Sequence, residues 1–304
     1  MRERLAVELA GLKLANPTML AAGILGMTSL SLKRVAEAGA GAVVTKSIGS
    51  KPRSGYDNPT VVQTDCGILN AMGLPNPGIE YFAKEIIEAK TIGCPVIVSL
   101  YGFSTDEFAN VAKKAADAGA DALELNVSCP HVEKTGSEMG QTPELLETVV
   151  KAVKNETRVP VFVKLTPNVT DITECAKSAE KGGADAIVAI NTVRAMAINA
   201  EAMKPILGNT FGGLSGPAMK PIALRCVYEI YEKVNVPIIG CGGVSNWRDA
   251  VEFMLAGARA VQIGTAVAFE GLDVFESVTK GIDAYLETKG FGSVKEIVGL
   301  AHAH

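Results

Sequence analysis

The chain has 304 residues, a net charge of −4, 48% hydrophobic residues and only 5% aromatic ones, so aliphatic and small side chains must fill its core. No long basic run is present, which removes the electrostatic basis for nucleic-acid binding. No apolar stretch approaches the ~20 residues that span a bilayer, and the start from Met1 to Glu8 lacks an apolar signal core, so a cytoplasmic protein without membrane association is expected.

The first pattern is a short alternation. Leu5, Val7 and Leu9, then Leu12 and Leu14, flank Ala10-Gly11 and predict a β-hairpin, most simply a plug over the bottom of a barrel. Pro17 to Ala22 then reads as a first strand. Four segments share one phrase: Ala38-Gly39-Ala40-Gly41-Ala42, Ala118-Gly119-Ala120-Asp121-Ala122, Gly182-Gly183-Ala184-Asp185-Ala186 and Ala256-Gly257-Ala258-Arg259-Ala260. Each closes a helix-period stretch, puts glycine where a helix end turns left-handed, and opens an apolar run. Between them Cys94-Pro95-Val96, Val159-Pro160-Val161 and Val236-Pro237-Ile238 begin further apolar runs, and proline is tolerated at the first position of a strand.

Eight apolar strands therefore alternate with helices. Strands that are apolar throughout belong to parallel sheets covered on both faces. The pattern predicts an α/β fold, a (β/α)8 TIM barrel, as one domain over residues 1–304, with a doubly wound open sheet as the competing reading. Long insertions follow strand 2 (about residues 47–78) and strand 6 (about 192–217).

In such a barrel the carboxyl ends of the strands build the site. They present Thr45-Lys46-Ser47, Ser99 to Gly102, Asn126 with Ser128 and Cys129, Lys164 to Pro167, Asn191-Thr192, Gly240 to Gly243, and Gly264-Thr265. Lys46 and Lys164 sit where an ammonium needs an anionic partner. Gly242-Gly243 and Gly264-Thr265 lie after strands 7 and 8, the usual phosphate site, and favour a phosphorylated ligand or cofactor. The amides of Asn126 and Asn191 suit the polar edge of a uracil-like ring. Cys129, among polar side chains at a strand end, reads as reactive, whereas the other five cysteines read as packing residues. Two of the three histidines fall in the last three residues and the cysteines lack Cys-x-x-Cys spacing, so no metal site is expected.

Six motifs in order carry a resemblance along essentially the whole chain: Asn70 to Asn76, Asn126 to Pro130, Lys164 to Asn168, Asn191-Thr192, Gly212 to Gly216, and Gly242-Gly243 with Gly264-Thr265. The chain resembles the class 1 dihydroorotate dehydrogenases, FMN-dependent barrels of pyrimidine (UMP) biosynthesis. The resemblance implies one FMN per chain and Cys129 as the base that removes the C5 proton of dihydroorotate while hydride leaves C6 for FMN N5. It implies Lys164 beside the flavin N1/O2 edge, with Ala22, Lys46, Ser47, Ser99, Asn126, Ile190 and Gly216 also lining the flavin. Gly242, Gly243, Gly264 and Thr265 would take its phosphate. Lys46, Asn70 and the backbone of Met72, Gly73 and Leu74 would hold the substrate carboxylate, with Ala71 lining the substrate beside them, and Asn126, Asn191 and Thr192 would read the pyrimidine.

Asn191 to Ile198 and Gly136 to Gln141 look like the NAD-linked class 1B branch, a homodimer core within a heterotetramer whose electron-transfer subunit carries FAD and a [2Fe-2S] cluster. Consistently, the sequence has no clustered cysteines and no Gly-x-Gly-x-x-Gly after a strand. Two positions depart from the family pattern: His131 stands where asparagine is usual and matches dihydropyrimidine dehydrogenases, and Ala22 replaces a frequent serine. The alternatives are a dihydropyrimidine dehydrogenase-like barrel acting on uracil or thymine, a fumarate-linked class 1A enzyme, and a flavin-free barrel handling phosphorylated sugars.

Overall fold

In the computed structural model, which describes residues 3–127 and 139–303, the chain begins with an antiparallel hairpin of β1 (Val7–Leu9) and β2 (Leu12–Leu14), turned at Ala10-Gly11. Then come β3 (Thr18–Leu20), α1 (Ser29–Glu37), β4 (Ala42–Val44), the short strands β5 (Val61–Thr64) and β6 (Gly67–Asn70), and α2 (Ile79–Ala89). The alternation continues through β7 (Val96–Leu100), α3 (Thr105–Asp117), β8 (Ala122–Asn126), α4 (Pro143–Glu156), β9 (Val161–Leu165), α5 (Ile172–Lys181) and β10 (Ala186–Ala189). Four short strands follow: β11 (Val193–Ala195), β12 (Ile198–Asn199), β13 (Lys204–Pro205) and β14 (Gly212–Ser215). Then come α6 (Lys220–Tyr231), β15 (Ile238–Cys241), α7 (Trp247–Leu255), β16 (Ala258–Ile263), α8 (Ala266–Glu270) and α9 (Asp273–Lys289), followed by two short 3-10 turns at Val294–Ile297 and Leu300–His302.

Strands β3, β4, β7, β8, β9, β10, β15 and β16 pair in that order, all parallel, and β16 returns to β3 to close an eight-stranded barrel. The (β/α)8 expectation holds, and the open sheet is excluded by the β16–β3 pairing.

The repeated sequence phrase has a local cause at each end. Gly39, Gly119, Gly183 and Gly257 have φ of +97°, +98°, +99° and +119°, a region costly for other residues. In two copies the following aspartate caps the first residue of the preceding strand. Asp121 accepts from Val96 N at 2.8 Å, and Asp185 from Val161 N at 2.7 Å. The prolines that open strands lack a donor but still accept: Val43 N, Leu123 N and Ile187 N donate to the carbonyls of Pro95, Pro160 and Pro237 at 3.0, 2.9 and 3.0 Å.

Strand side chains alternate between two apolar environments. Leu20, Val43, Val98, Leu123, Val163 and Ile187 face the helices in the main core. Their neighbours Met19, Ala42, Val44, Ile97, Ala122, Phe162, Val188 and Ala260 fill the barrel interior together with Leu9 and Leu14 of the hairpin. Leu9 and Leu14 are 0% and 2% exposed, so the hairpin's apolar face is spent on the barrel interior.

The two insertions meet each other. Strand β14 pairs antiparallel with β6, giving a four-stranded sheet in the order β11-β14-β6-β5. Register partners Asn70 and Gly213 tie the two segments together, and Asn70 Nδ2 also donates to Gly213 O at 3.2 Å. Both insertions leave from the carboxyl ends of the strands. Among the described residues no helix is long and apolar enough to cross a membrane, and no group of three metal-ligating side chains forms.

Candidate active site

Two residues beyond the apolar layer, the inward positions of the strands turn polar. Ala122 gives way to Glu124, Phe162 to Lys164, Ala260 to Gln262, Ile239 to Cys241 and Ile97 to Ser99. Glu124, Gln262 and Lys164 are 0%, 1% and 5% exposed. Lys164 Nζ donates to Gln262 Oε1 at 2.7 Å and lies 3.5 Å from Glu124 Oε1, while Gln262 Nε2 donates to Glu124 Oε2. Burial by itself pulls the Lys164 ammonium down. The neighbouring sulfur of Cys241 and the Glu124 carboxylate push it up, and the net direction is up. Burial raises the Cys241 thiol, with the charge of Glu124 adding to it and Lys164 opposing. Cys241 and Glu124 are thus the two side chains that favour the Lys164 ammonium against its burial.

Next to this group a row of hydrogen bonds crosses four strand ends. Asn191 Nδ2 donates to Asn126 Oδ1 at 3.1 Å, Asn126 Nδ2 donates to Ser47 Oγ at 3.1 Å, and Ser47 and Ser99 share a bond at 2.9 Å. Asn191 Oδ1 also accepts from Thr192 N at 2.8 Å, and the Thr192 carbonyl accepts from Asn168 Nδ2 at 3.2 Å. Asn126 is the register partner of Lys164, which joins the row to the buried ions.

Lys46 precedes Ser47 and is 9% exposed. Its Nζ donates to Gly23 O at 3.4 Å, and it has no carboxylate partner among the described residues. Burial pulls it below the usual lysine range. Of the two strand-end lysines, only Lys164 thus finds its counter-charge within the described chain.

The first insertion holds a loop whose carbonyls are all engaged. Met72 O accepts from Tyr56 N at 3.1 Å, Gly73 O from Arg53 Nε at 2.7 Å, and Leu74 O from Asn76 Nδ2 at 2.9 Å. Asn76, 5% exposed, also donates to Tyr101 and accepts from Gly49 N and Gly78 N. Leu74 is held at φ +58°, a left-handed conformation uncommon for a side chain of this size. Among the described residues the N–H groups of Met72, Gly73 and Leu74 are not spent on the chain itself. Ala71 is fixed just before them, donating to Thr60 O at 2.7 Å.

Gly216, Gly243 and Thr265 come together at the far side. A Cβ on Gly216 (φ +107°) would lie 2.7 Å from Gly67 Cα, and one on Gly243 (φ +81°) would lie 2.8 Å from Lys220 N. Both positions demand glycine on conformation and on space. Thr265 Oγ1 donates to Ser215 Oγ at 2.8 Å, and Gly264 O accepts from Val267 N at the start of α8. Ile190 N donates to Cys241 O at 2.7 Å beside Gly242, and Ala22 packs against the barrel interior.

The loop from Gly242 to Asn246 is fixed by a capping box in which the Asn246 side chain accepts from Arg248 N and Asp249 N. Asp249 accepts from Ser245 N at 2.9 Å and pairs with Lys220 at 2.8 Å. Asn246→Ala is expected to lower stability by about 0.5–2 kcal/mol, measured by denaturant unfolding.

The structure thus brings together Lys46, Ser47, Ser99, Asn126, Lys164, Asn191 and Thr192, and separately Gly216, Gly243 and Thr265. Cys129, His131 and Gly136 lie outside the described residues. Two readings change. The segment from Ala122 to Leu125 is not a uniformly apolar strand, because Glu124 carries a carboxylate into the barrel. Cys241, expected only to pack, lies next to the Lys164 ammonium and favours its charged form. Glu124 and Gln262 were missed; the signal for both was a polar residue at an inward position of an apolar strand.

A closed parallel barrel that gathers buried ammonium groups, paired amides and glycine turns at its strand ends defines a (β/α)8 enzyme. The chain belongs to the dihydroorotate dehydrogenase family, whose model matches residues 4–286. Similar proteins include the dihydroorotate dehydrogenase B (NAD(+)) catalytic subunits of Methanosarcina acetivorans, 56% identical over 97% of this chain and 95% of that one, and of Pyrococcus furiosus, 56% identical over 97% and 98%. The subunit of the same name from Methanothermobacter thermautotrophicus is 50% identical over 98% of both chains.

Proposed function

We propose that the protein oxidises dihydroorotate to orotate in pyrimidine biosynthesis, as the catalytic, single-domain subunit of an NAD-linked enzyme. FMN, when bound, supplies the acceptor for the hydride that leaves C6. The residues present fit that group: Lys164 offers a fixed, buried cation beside the row of amides, and Gly216 and Gly243, closed against the chain's own backbone, hold a tight turn next to Thr265. Gly242, Gly243, Gly264 and Thr265 would hold its phosphate, with Ala22, Lys46, Ser47, Ser99, Asn126, Ile190, Gly216 and Lys164 along its ring and chain. Cys129 takes the C5 proton. Asn126, Asn191 and Thr192 present donors and acceptors to the pyrimidine edge. Lys46, Asn70 and the backbone from Met72 to Leu74 hold the carboxylate, with Ala71 lining the substrate beside them.

The observation that carries the substrate assignment is the loop from Met72 to Leu74, whose three carbonyls are engaged while its three N–H groups are not. Backbone donors held in this way suit a carboxylate. Lys46, an ammonium without a carboxylate among the described residues, adds the positive charge.

Electrons pass to NAD through a second polypeptide carrying FAD and a [2Fe-2S] cluster, on a homodimer core within a cytoplasmic heterotetramer. The names of the similar proteins, each a catalytic subunit, support a partner.

Titration of the flavin-loaded protein, followed by its visible spectrum, tests the reading. Orotate is expected to bind far more tightly than uracil. Lys46→Met removes one charge-assisted hydrogen bond and is expected to weaken orotate by about 10- to 100-fold while leaving uracil unchanged. Equal affinity for orotate and uracil would favour a dihydropyrimidine dehydrogenase-like activity, and a colourless protein a flavin-free barrel.

A further inference from the structure

Glu124 is a fully buried carboxylate that the proposed chemistry does not use. It lies on β8 directly above an interior layer of Ala122, Phe162 and Ala260, where an apolar side chain would continue the packing. A buried ion pair gives little net stability over an apolar replacement, because desolvation offsets the attraction. Its retention here is therefore better explained by what it does to its partner.

The contacts are specific. Glu124 Oε1 accepts no hydrogen bond among the described residues, and its neighbour is the Lys164 ammonium at 3.5 Å. Oε2 accepts from Gln262 Nε2, and the other end of the same amide accepts from Lys164 Nζ at 2.7 Å. An amide has one donating and one accepting end, so the carboxylate on one side aims the oxygen at the ammonium on the other. Of the elements packed against Lys164, β8 brings Glu124, β15 brings Cys241 and β16 brings the neutral Gln262; on β10 the register partner is the apolar Val188. Glu124 is the one carboxylate in that set.

We propose that Glu124 is a positioning residue which, directly and through Gln262, keeps Lys164 charged and aimed, and thereby sets the reduction potential of the flavin. The inference rests on the flavin reading of the pocket given above. With Glu124 in place the cation beside the ring is balanced and insensitive to pH. Without it, the potential rises while Lys164 keeps its proton, because an unbalanced cation favours the electron-rich ring. It then falls as the buried ammonium, deprived of its counter-charge, loses that proton.

The test is a spectroelectrochemical titration of the flavin-loaded protein across pH, comparing the wild type with Glu124→Gln. The variant is expected to show a higher potential at the acid end. It should also bend downward as pH rises, at a point well below the usual lysine range, because burial lowers an unpaired lysine, and the wild type should lack that bend. Adding Lys164→Met to Glu124→Gln is expected to abolish it. Should Glu124→Gln fail to fold, Glu124→Asp, whose carboxylate stops one methylene short, is expected to move the curve in the same sense by less.

Curves of variant and wild type that superimpose would overturn the proposal, as would a bend that survives in the double variant. A wild type that binds no flavin would overturn both this inference and the reading beneath it.

Discussion

Replacing Cys129 by alanine is expected to slow the reduction of bound flavin by dihydroorotate by about 10²–10⁴-fold, the usual contribution of a positioned base. Removing hydride from C6 leaves the neighbouring C5 proton without an acceptor unless a side chain takes it, and the motif from Asn126 to Pro130 offers a thiol for that purpose. A thiol must lose its proton before it can accept one, and an ordinary cysteine ionises near pH ~8.5. The rate therefore rises with pH toward that region. Cys129→Ser, with a far less acidic hydroxyl, is expected to keep a small residual rate displaced to higher pH. Anaerobic stopped-flow mixing reads both effects, and a Cys129→Ala protein that reduces its flavin at the normal rate would remove Cys129 from the chemistry.

The largest effect on stability is expected from Phe162→Ala. Phe162 is fully buried in the barrel interior, and its register partners are Glu124 on one side and Ala186 on the other. Its interior neighbours include Ala42, Ala122, Ala186 and Ala260, side chains too short to fill the space it leaves. Truncation is expected to cost about 3–5 kcal/mol, measured by denaturant unfolding. The cavity opens directly beneath Glu124 and Lys164, so flavin retention should weaken along with stability. Phe162→Leu, which refills most of the volume, is expected to recover most of both.

What the sequence made legible was whatever a short stretch of backbone enforces. The Ala-Gly-Ala phrase could be read because Gly39, Gly119, Gly183 and Gly257 each answer a turn within their own segment. The prolines 95, 160 and 237 could be read because a strand's first residue needs no donor. From those, eight strands and their polar ends followed, and the motifs identified the family.

What could not be read depends on distant partners. Glu124 in Ala122-Leu123-Glu124-Leu125 gives no hint of Gln262, which lies 138 positions away, and Gln262 lies 98 positions from Lys164. The two insertions were visible only as long connections, because the β6–β14 pairing joins Asn70 to a residue 143 positions on. Cys241 read as packing because its neighbour, Lys164, belongs to a different strand. Barrel closure is the step that turns these isolated polar residues into a layer.

The most direct measurement of the central claim is anaerobic addition of dihydroorotate to the purified protein while the visible flavin absorbance is followed. The band is expected to bleach on mixing with dihydroorotate and to persist with dihydrouracil at the same concentration. A band that dihydroorotate leaves untouched would contradict the account.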